Sequence, residues 1–211
     1  MCSGNLPEET SVSGENFIRL EDQNTHISLK AMISSCRKGK EEGRRQLYEK
    51  FYGYAIGLCL RYANSREEAQ EILNDGFIKV FKHINSHKSE ASFKAWMRRI
   101  MINAAIDHYR KYQAHYHSLE ISYAAQLENR TAQLEALDQL SREEILRMVQ
   151  QLPPSYRMVF NLYAIEGYSH NEIATKLDIS TGTSKSNLAK ARMKLRKMMK
   201  AVDDEYEQRY G

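Results

Sequence analysis

Between Thr181 and Lys200 the chain carries Lys185, Lys190, Arg192, Lys194, Arg196, Lys197 and Lys200, and not one acid. Short polar side chains stand at the start of this run: Thr181, Thr183, Ser186 and Asn187. Small polar groups let a helix approach base edges, while lysine and arginine engage phosphates. The chemistry on offer is therefore recognition of a polyanion in a groove. Its candidates are Thr181, Thr183, Lys185, Ser186, Asn187, Lys190 and Arg192. A second set recurs at helical spacing, where Arg99, Asn103, Ile106 and Arg110 share a stripe with Lys94 and Arg98 close by. Arginine and asparagine are well suited to hydrogen-bonding bases. Trp96, Tyr109 and Tyr112 are interleaved and could stack on exposed bases, although a core position suits Trp96 better. A third stripe, Glu71, Asp75, Ile78 and Lys82, sets an apolar side chain beside two acids on a solvated face. That pattern hints at a partner surface.

Other chemistries find little support. His83, His87, His108, His115 and His117 raise the thought of a metal protein or an enzyme. His115 and His117 merely flank Tyr116, with no cysteine or carboxylate at metal spacing nearby. There is no phosphate-binding glycine loop and no nucleophile motif, so neither catalysis nor a cofactor is expected. Cys2, Cys36 and Cys59 are odd in number and suit buried thiols in a reducing cytoplasm. No apolar run approaches a membrane span, and the polar, acidic N-terminus carries no secretory signal. The expected location is cytoplasmic.

The elements that must position these residues are helices. The net charge of the 211 residues is only +4, but its distribution is uneven. An acidic segment over residues 1–25, expected to be poorly ordered, precedes a basic stretch from Lys30 to Lys111. Residues 112–140 are acidic and weakly periodic, and an Asp203-Asp204-Glu205 tail follows the basic terminal helix. Two basic blocks on an acidic tether suggest two separate contacts with one polyanion. Helices are predicted over 28–38, 41–63, 65–83 and 93–112, with Gly39 as a left-handed stop. A second group follows: one to Leu152, one from Pro154 to Glu166 burying Tyr156, Val159, Phe160 and Tyr163, then two flanking an Asp178-Ile179-Ser180 turn. Ser65 with Glu68, Ser141 with Glu144 and Ser169 with Glu172 form capping boxes, and Thr181 to Thr183 offer hydroxyls to cap the last helix. Ser184, Leu188, Ala191 and Leu195 face inward on that helix. No stretch alternates with the period of a strand. The fold is all-α, with two small helical domains and a C-terminal helix-turn-helix.

This order of parts resembles the extracytoplasmic-function (ECF) group of bacterial sigma factors, within the sigma-70 superfamily. Three segments carry it: Ser65 through Phe81; Phe93-Lys94-Ala95-Trp96-Met97-Arg98-Arg99-Ile100 with Asn103, Asp107 and Arg110; and Leu152-Pro153 through Gly167-Tyr168-Ser169, Glu172-Ile173-Ala174 and Gly182 to Ser186. The resemblance implies a region 2 domain over 28–112, a linker over 113–140, a winged-helix-like region 4 domain over 141–202, and flanking segments 1–27 and 203–211. It implies core RNA polymerase as a partner of Glu71, Asp75 and Ile78. It also implies promoter DNA as a partner, with Arg99, Asn103, Asp107 and Arg110 on the minus-ten element and the terminal helix on the minus-thirty-five element. The loop from Ser86 to Ser92 would accept a flipped base, and the linker would run toward the polymerase active centre. An anti-sigma factor is a further partner that the resemblance raises. The family often has Val in place of Ser184, Arg in place of Asn187 and Gln-Glu in place of Asn74-Asp75, so core packing should loosen slightly at Ser184. The alternative is a stand-alone helix-turn-helix regulator, which would leave the Glu71 and Arg99 stripes idle.

Overall fold

The computed structural model describes residues 28–87, 92–126 and 142–210, and every regular element among them is helical. The expected disorder of residues 1–25 lies outside the described residues. The N-terminal module holds α1 (Leu29–Arg37), α2 (Glu41–Cys59), α3 (Arg66–His83) and α4 (Phe93–Gln126), with a 3-10 turn at Ile84–Ser86. The C-terminal module holds α5 (Arg142–Gln150), α6 (Pro154–Phe160), α7 (His170–Leu177) and α8 (Thr181–Tyr210).

Local chemistry sets most boundaries. Ser28 accepts the Ala31 amide at 3.2 Å to open α1, and Gly39, at φ +73°, ends the turn after it. Before α3, Ser65 accepts the Glu68 amide at 3.2 Å. The Glu68 carboxylate does not complete the box on Ser65 but reaches one residue further back, to the backbone and side-chain nitrogens of Asn64 at 2.8 and 2.7 Å. The predicted Ser141 box falls outside the described residues. α4 runs fourteen residues past the expected Tyr112, into the stretch read as linker, and α8 continues through the acidic tail to Tyr210.

The core runs through both modules as one apolar cluster, from Met32 and Leu47 through Phe93 and Met101 to Leu162, Ile173 and Leu188. α1 and α2 approach so closely that a methyl at Gly43 would lie 2.7 Å from the Cys36 amide nitrogen. The expected inward stripe of α6 is displaced. Met158, Val159 and Leu162 are buried, whereas Tyr156, Phe160 and Tyr163 are half-buried. The buried set Ser155, Met158, Val159 and Leu162 keeps the helical period one position earlier than expected, and a π-helical turn follows at Asn161–Ile165.

Both described cysteines are buried. Burial pushes the Cys59 thiol up to about 12, against a weaker opposing pull from Arg61. Burial also raises Cys36, with Arg44 opposing. Only the thiolate is nucleophilic, so at pH 8 on the order of one Cys59 in 10⁴ is reactive. A thiol-disulfide reagent at pH 8 should modify neither residue in minutes in the folded chain, and both once guanidinium unfolds it. Prompt labelling of Cys59 in the native chain would contradict this. Stability owed to the protonated thiol is intact below the unfolded value of 9.0 and is lost as pH rises through about 12.

Candidate nucleic-acid interface

α7 and α8 form the helix-turn-helix. The capping box at α7 is complete: Ser169 accepts the Glu172 amide at 3.3 Å, and the Glu172 carboxylate accepts the Ser169 amide at 2.8 Å. That backbone hydrogen bond, then the Ser169 hydroxyl, holds the Glu172 carboxyl below its usual range. Asp178 ends α7 in the left-handed region at φ +55°, which reverses the chain. Ser180, rather than Thr181 or Thr183, caps α8; its Oγ accepts the Thr183 amide at 2.9 Å and pairs with Thr183 Oγ1 at 2.8 Å. One residue earlier than expected, this hydroxyl stands outside the helix, where it can reach the third amide.

Ser184 is fully buried, and His170 Nδ1 lies 2.9 Å from its hydroxyl. The His170 ring stacks on Tyr163 at 4.5 Å and 24°, so the expected loosening at Ser184 is offset by a positioned hydrogen bond. The bond fixes α8 against α7. Of the residues expected to read DNA from α8, Thr181, Thr183, Lys185, Ser186, Lys190 and Arg192 are exposed, whereas Asn187 is only 9% exposed. At about 100° per residue they do not share one face. Thr183, Asn187 and Lys190 come together on one flank, where they line a cleft of about 200 Å³ with Tyr156 of α6 and with Tyr109 and Gln113 of α4. Thr181, Lys185 and Arg192 occupy the other flank, and Ser186 points away from the core. Lys190 and Arg192 lie over the Tyr156 and Tyr163 rings, each at 5.7 Å. Burial, then the neighbouring Lys197 charge, lowers the Lys194 ammonium.

The second stripe is coherent. Arg99, Asn103, Asp107 and Arg110 follow one another around a single face of α4; Arg99, Asp107 and Arg110 are exposed and Asn103 is half-buried. Asp107 accepts from Lys79 of α3 at 2.6 Å, an exposed pair worth only about 0–1 kcal/mol. Ile106, read on this stripe, is instead in the core, and Tyr109 is buried rather than free to stack on bases. Trp96 is half-buried and stacks on His87 at 4.7 Å and 25°. Residues 88–91 of the Ser86–Ser92 loop lie outside the described residues.

On α3, Glu71, Asp75 and Ile78 are exposed along one stripe. Ile78, at 64%, is the most exposed large apolar side chain among the described residues. His108 of α4 sits 3.4 Å from the Glu71 carboxylate. Among the described residues no three His, Cys, Asp or Glu side chains are grouped to hold a metal, and no helix is long and apolar enough to cross a membrane.

Residues 47–115 match the family model of sigma-70 region 2, and residues 142–195 match that of sigma-70 region 4, more than half of the chain between them. The chain belongs to the sigma-70 family. Several of its curated relatives are named as ECF RNA polymerase sigma factors. The chain is 27% identical over 184 residues to the ECF RNA polymerase sigma factor SigW of Bacillus subtilis, covering 82% of this chain and 98% of that one. It is 25% identical over 180 residues to the RNA polymerase sigma-H factor of Pseudomonas aeruginosa, covering 81% and 93%. Against the solved structure of CnrH in complex with the cytosolic domain of CnrY, the TM-score is 0.41 at 20% identity, over 81% of this sigma-70 chain and 96% of that one.

Side chains join the two modules, Arg61, Tyr62 and Arg98 on one side and Arg157, Asn161 and Glu166 on the other. Arg98, read from the sequence as a basic neighbour of the Arg99 stripe, is instead paired with Glu166, and sequence reasoning passed over Arg61, Arg157 and Asn161. Arg157 and Asn161 are four residues apart, which marks a polar stripe on α6 but not what covers it.

Proposed function

We propose that this chain carries core RNA polymerase to specific promoters and helps to open them, contributing recognition and no chemistry of its own. One observation carries the reading. Outward-facing stripes on α3 and α4, and exposed polar and basic side chains around α8, lie on one chain within the residues that match sigma-70 region 2 and region 4. Glu71, Asp75 and Ile78 would meet a basic, partly apolar polymerase surface, where Ile78 excludes water from the charged contacts. Arg99, Asn103 and Arg110 would engage the minus-ten element, and Asp107 would join them on leaving Lys79. Thr181, Thr183, Lys185, Ser186, Asn187, Lys190 and Arg192 would serve the minus-thirty-five element from α8, the cations on phosphate and the short side chains at base edges. The relatives' names as RNA polymerase sigma factors support the same assignment.

Run-off transcription on genomic fragments, with core polymerase in the presence and absence of the chain, tests it. New, chain-dependent start sites are expected. Transcription no better with the chain than without it, on any template, would sink the reading; specific duplex binding without any polymerase contact would replace it with a stand-alone regulator. Within the interface, Lys190→Ala should weaken DNA binding on all sequences alike and lower the salt slope by about one phosphate contact. An unchanged slope in a salt titration would remove Lys190 from the interface.

A further inference from the structure

His108 of α4 is buried, and each nitrogen of its ring faces a carboxylate of α3. Nδ1 lies 3.5 Å from Glu68 Oε1, and Nε2 lies 3.4 Å from Glu71 Oε2. The ring packs on Tyr112 at 4.6 Å and 44°. The two carboxylates are not alike. Glu68, its side chain 16% exposed, has its other oxygen fixed by the backbone and side-chain nitrogens of Asn64 at 2.8 and 2.7 Å. Glu71, its side chain 65% exposed, stands on the outward stripe with Asp75 and Ile78. The other charges near the ring come from two helices. On α4, Lys111 lies over the Tyr112 ring at 5.1 Å, and Asp107 is paired with Lys79 of α3 at 2.6 Å. On α6, Arg157 holds the Asn64 side chain from which Glu68 accepts.

We propose that His108 is a proton-operated positioning residue for the polymerase contact: charged, it pins the Glu71 carboxylate against α4, and neutral, it releases it. This rests on the function proposed above and deepens it. An imidazolium carries N–H on both nitrogens and can donate to Glu68 and Glu71 together, whereas a neutral ring has one N–H and one lone pair. A lone pair facing a carboxylate repels it, so loss of the proton ends one of the two contacts. The contact that ends is the one to Glu71. A polar group left unpaired inside the fold costs more than one that can turn into water, and Asn64 holds Glu68 in place. The neutral ring therefore keeps its N–H on Nδ1, toward Glu68. Glu71 then loses the offsetting positive charge and is free to meet a cation of the polymerase. Histidine ordinarily changes charge between pH 5 and 8, so core binding tightens as pH rises through that range and weakens on acidification. The sign is diagnostic, because a titrating basic surface on the partner would lose charge and bind less tightly as pH rises.

Nitrogen-15 NMR of the histidine rings in the full chain, without polymerase, tests the hold of His108 on Glu71 separately from the function. The His108 signals, assigned by their loss in His108→Gln, should show both ring nitrogens protonated at pH 5 and Nδ1 alone at pH 8. Fluorescence titration with core polymerase at pH 6 and pH 8, at constant salt, tests the consequence. The parent should bind about threefold more tightly at pH 8, the scale of one exposed charge pair. His108→Gln and Glu71→Gln should each remove that gain. Exposed His83, at the end of α3, is kept in both variants, so its own titration cancels in the comparison. If His108→Gln loses helicity, Glu71→Gln, at an exposed position, decides by the same titration. A neutral ring protonated on Nε2, or variants that keep the parent's dependence on pH, would overturn the proposal. The expected ring protonation alongside no core binding at either pH would keep the hold of His108 on Glu71 and sink the functional reading.

Discussion

Replacing Ile78 with aspartate should lower the affinity of the chain for core RNA polymerase about a hundredfold. Burying an isoleucine side chain at an interface contributes about 1.5–3 kcal/mol. Ile78 is 64% exposed in the free chain, so little of that has been used in folding. The aspartate also adds a third negative charge to a stripe that already holds Glu71 and Asp75. About 2.8 kcal/mol corresponds to a factor of one hundred. Asp75→Ala should lose less, a few-fold, because an exposed ion pair is worth at most about 1 kcal/mol. The measurement is a fluorescence titration of labelled chain with core polymerase, beside thermal melts to confirm that the fold is kept. An Ile78→Asp affinity within threefold of the parent would remove the α3 stripe from that contact.

What the sequence made legible was local. Ser28, Gly39, Ser169 and Gly167 mark where helices start and stop, because caps and left-handed residues act on their own few neighbours. The stripes on α3 and on α4 from Arg99 to Arg110 were legible for the same reason, since a helical period is a short-range property. The failures are long-range. A polar pair such as Arg157 and Asn161 reads as a solvated face until another module is known to cover it. Ile106 was read beside Arg99 and Arg110, but α4 is packed along two sides, so its apolar arc is wider than one stripe. On α6 two periodic faces lie one residue apart, and the choice of Ser155, Met158 and Leu162 over Tyr156, Phe160 and Tyr163 is made by what packs on the helix. Ser184 was read as a packing fault because its hydrogen-bond partner, His170, sits fourteen residues away on another helix.

Arg157→Ala should cost the folded chain about 3–5 kcal/mol, the largest loss of stability among the described polar side chains. The guanidinium is almost wholly enclosed, and it donates to the Gln150 and Ala63 carbonyls and to the Asn64 side chain. Truncation removes the donors and leaves acceptors buried without them, a penalty well above the net worth of the hydrogen bonds themselves. The damage runs in two directions. The Gln150 bond ties α5 to α6 within one module, whereas the Ala63 and Asn64 bonds cross to the other. Asn64 in turn holds the Glu68 carboxylate that opens α3, so the disturbance reaches the helix that carries Ile78. Arg157→Met separates volume from hydrogen bonding: it refills much of the space but restores no donor, so it should recover only a minor part of the loss. Glu166→Ala differs in kind, because its hydrogen bonds cross between modules without tying α5 to α6. Urea unfolding of the three variants, followed by circular dichroism, ranks them. If the Arg157→Ala midpoint stays within 1 kcal/mol of the parent, the buried guanidinium is not what joins α5, α6 and the Ala63–Asn64 turn.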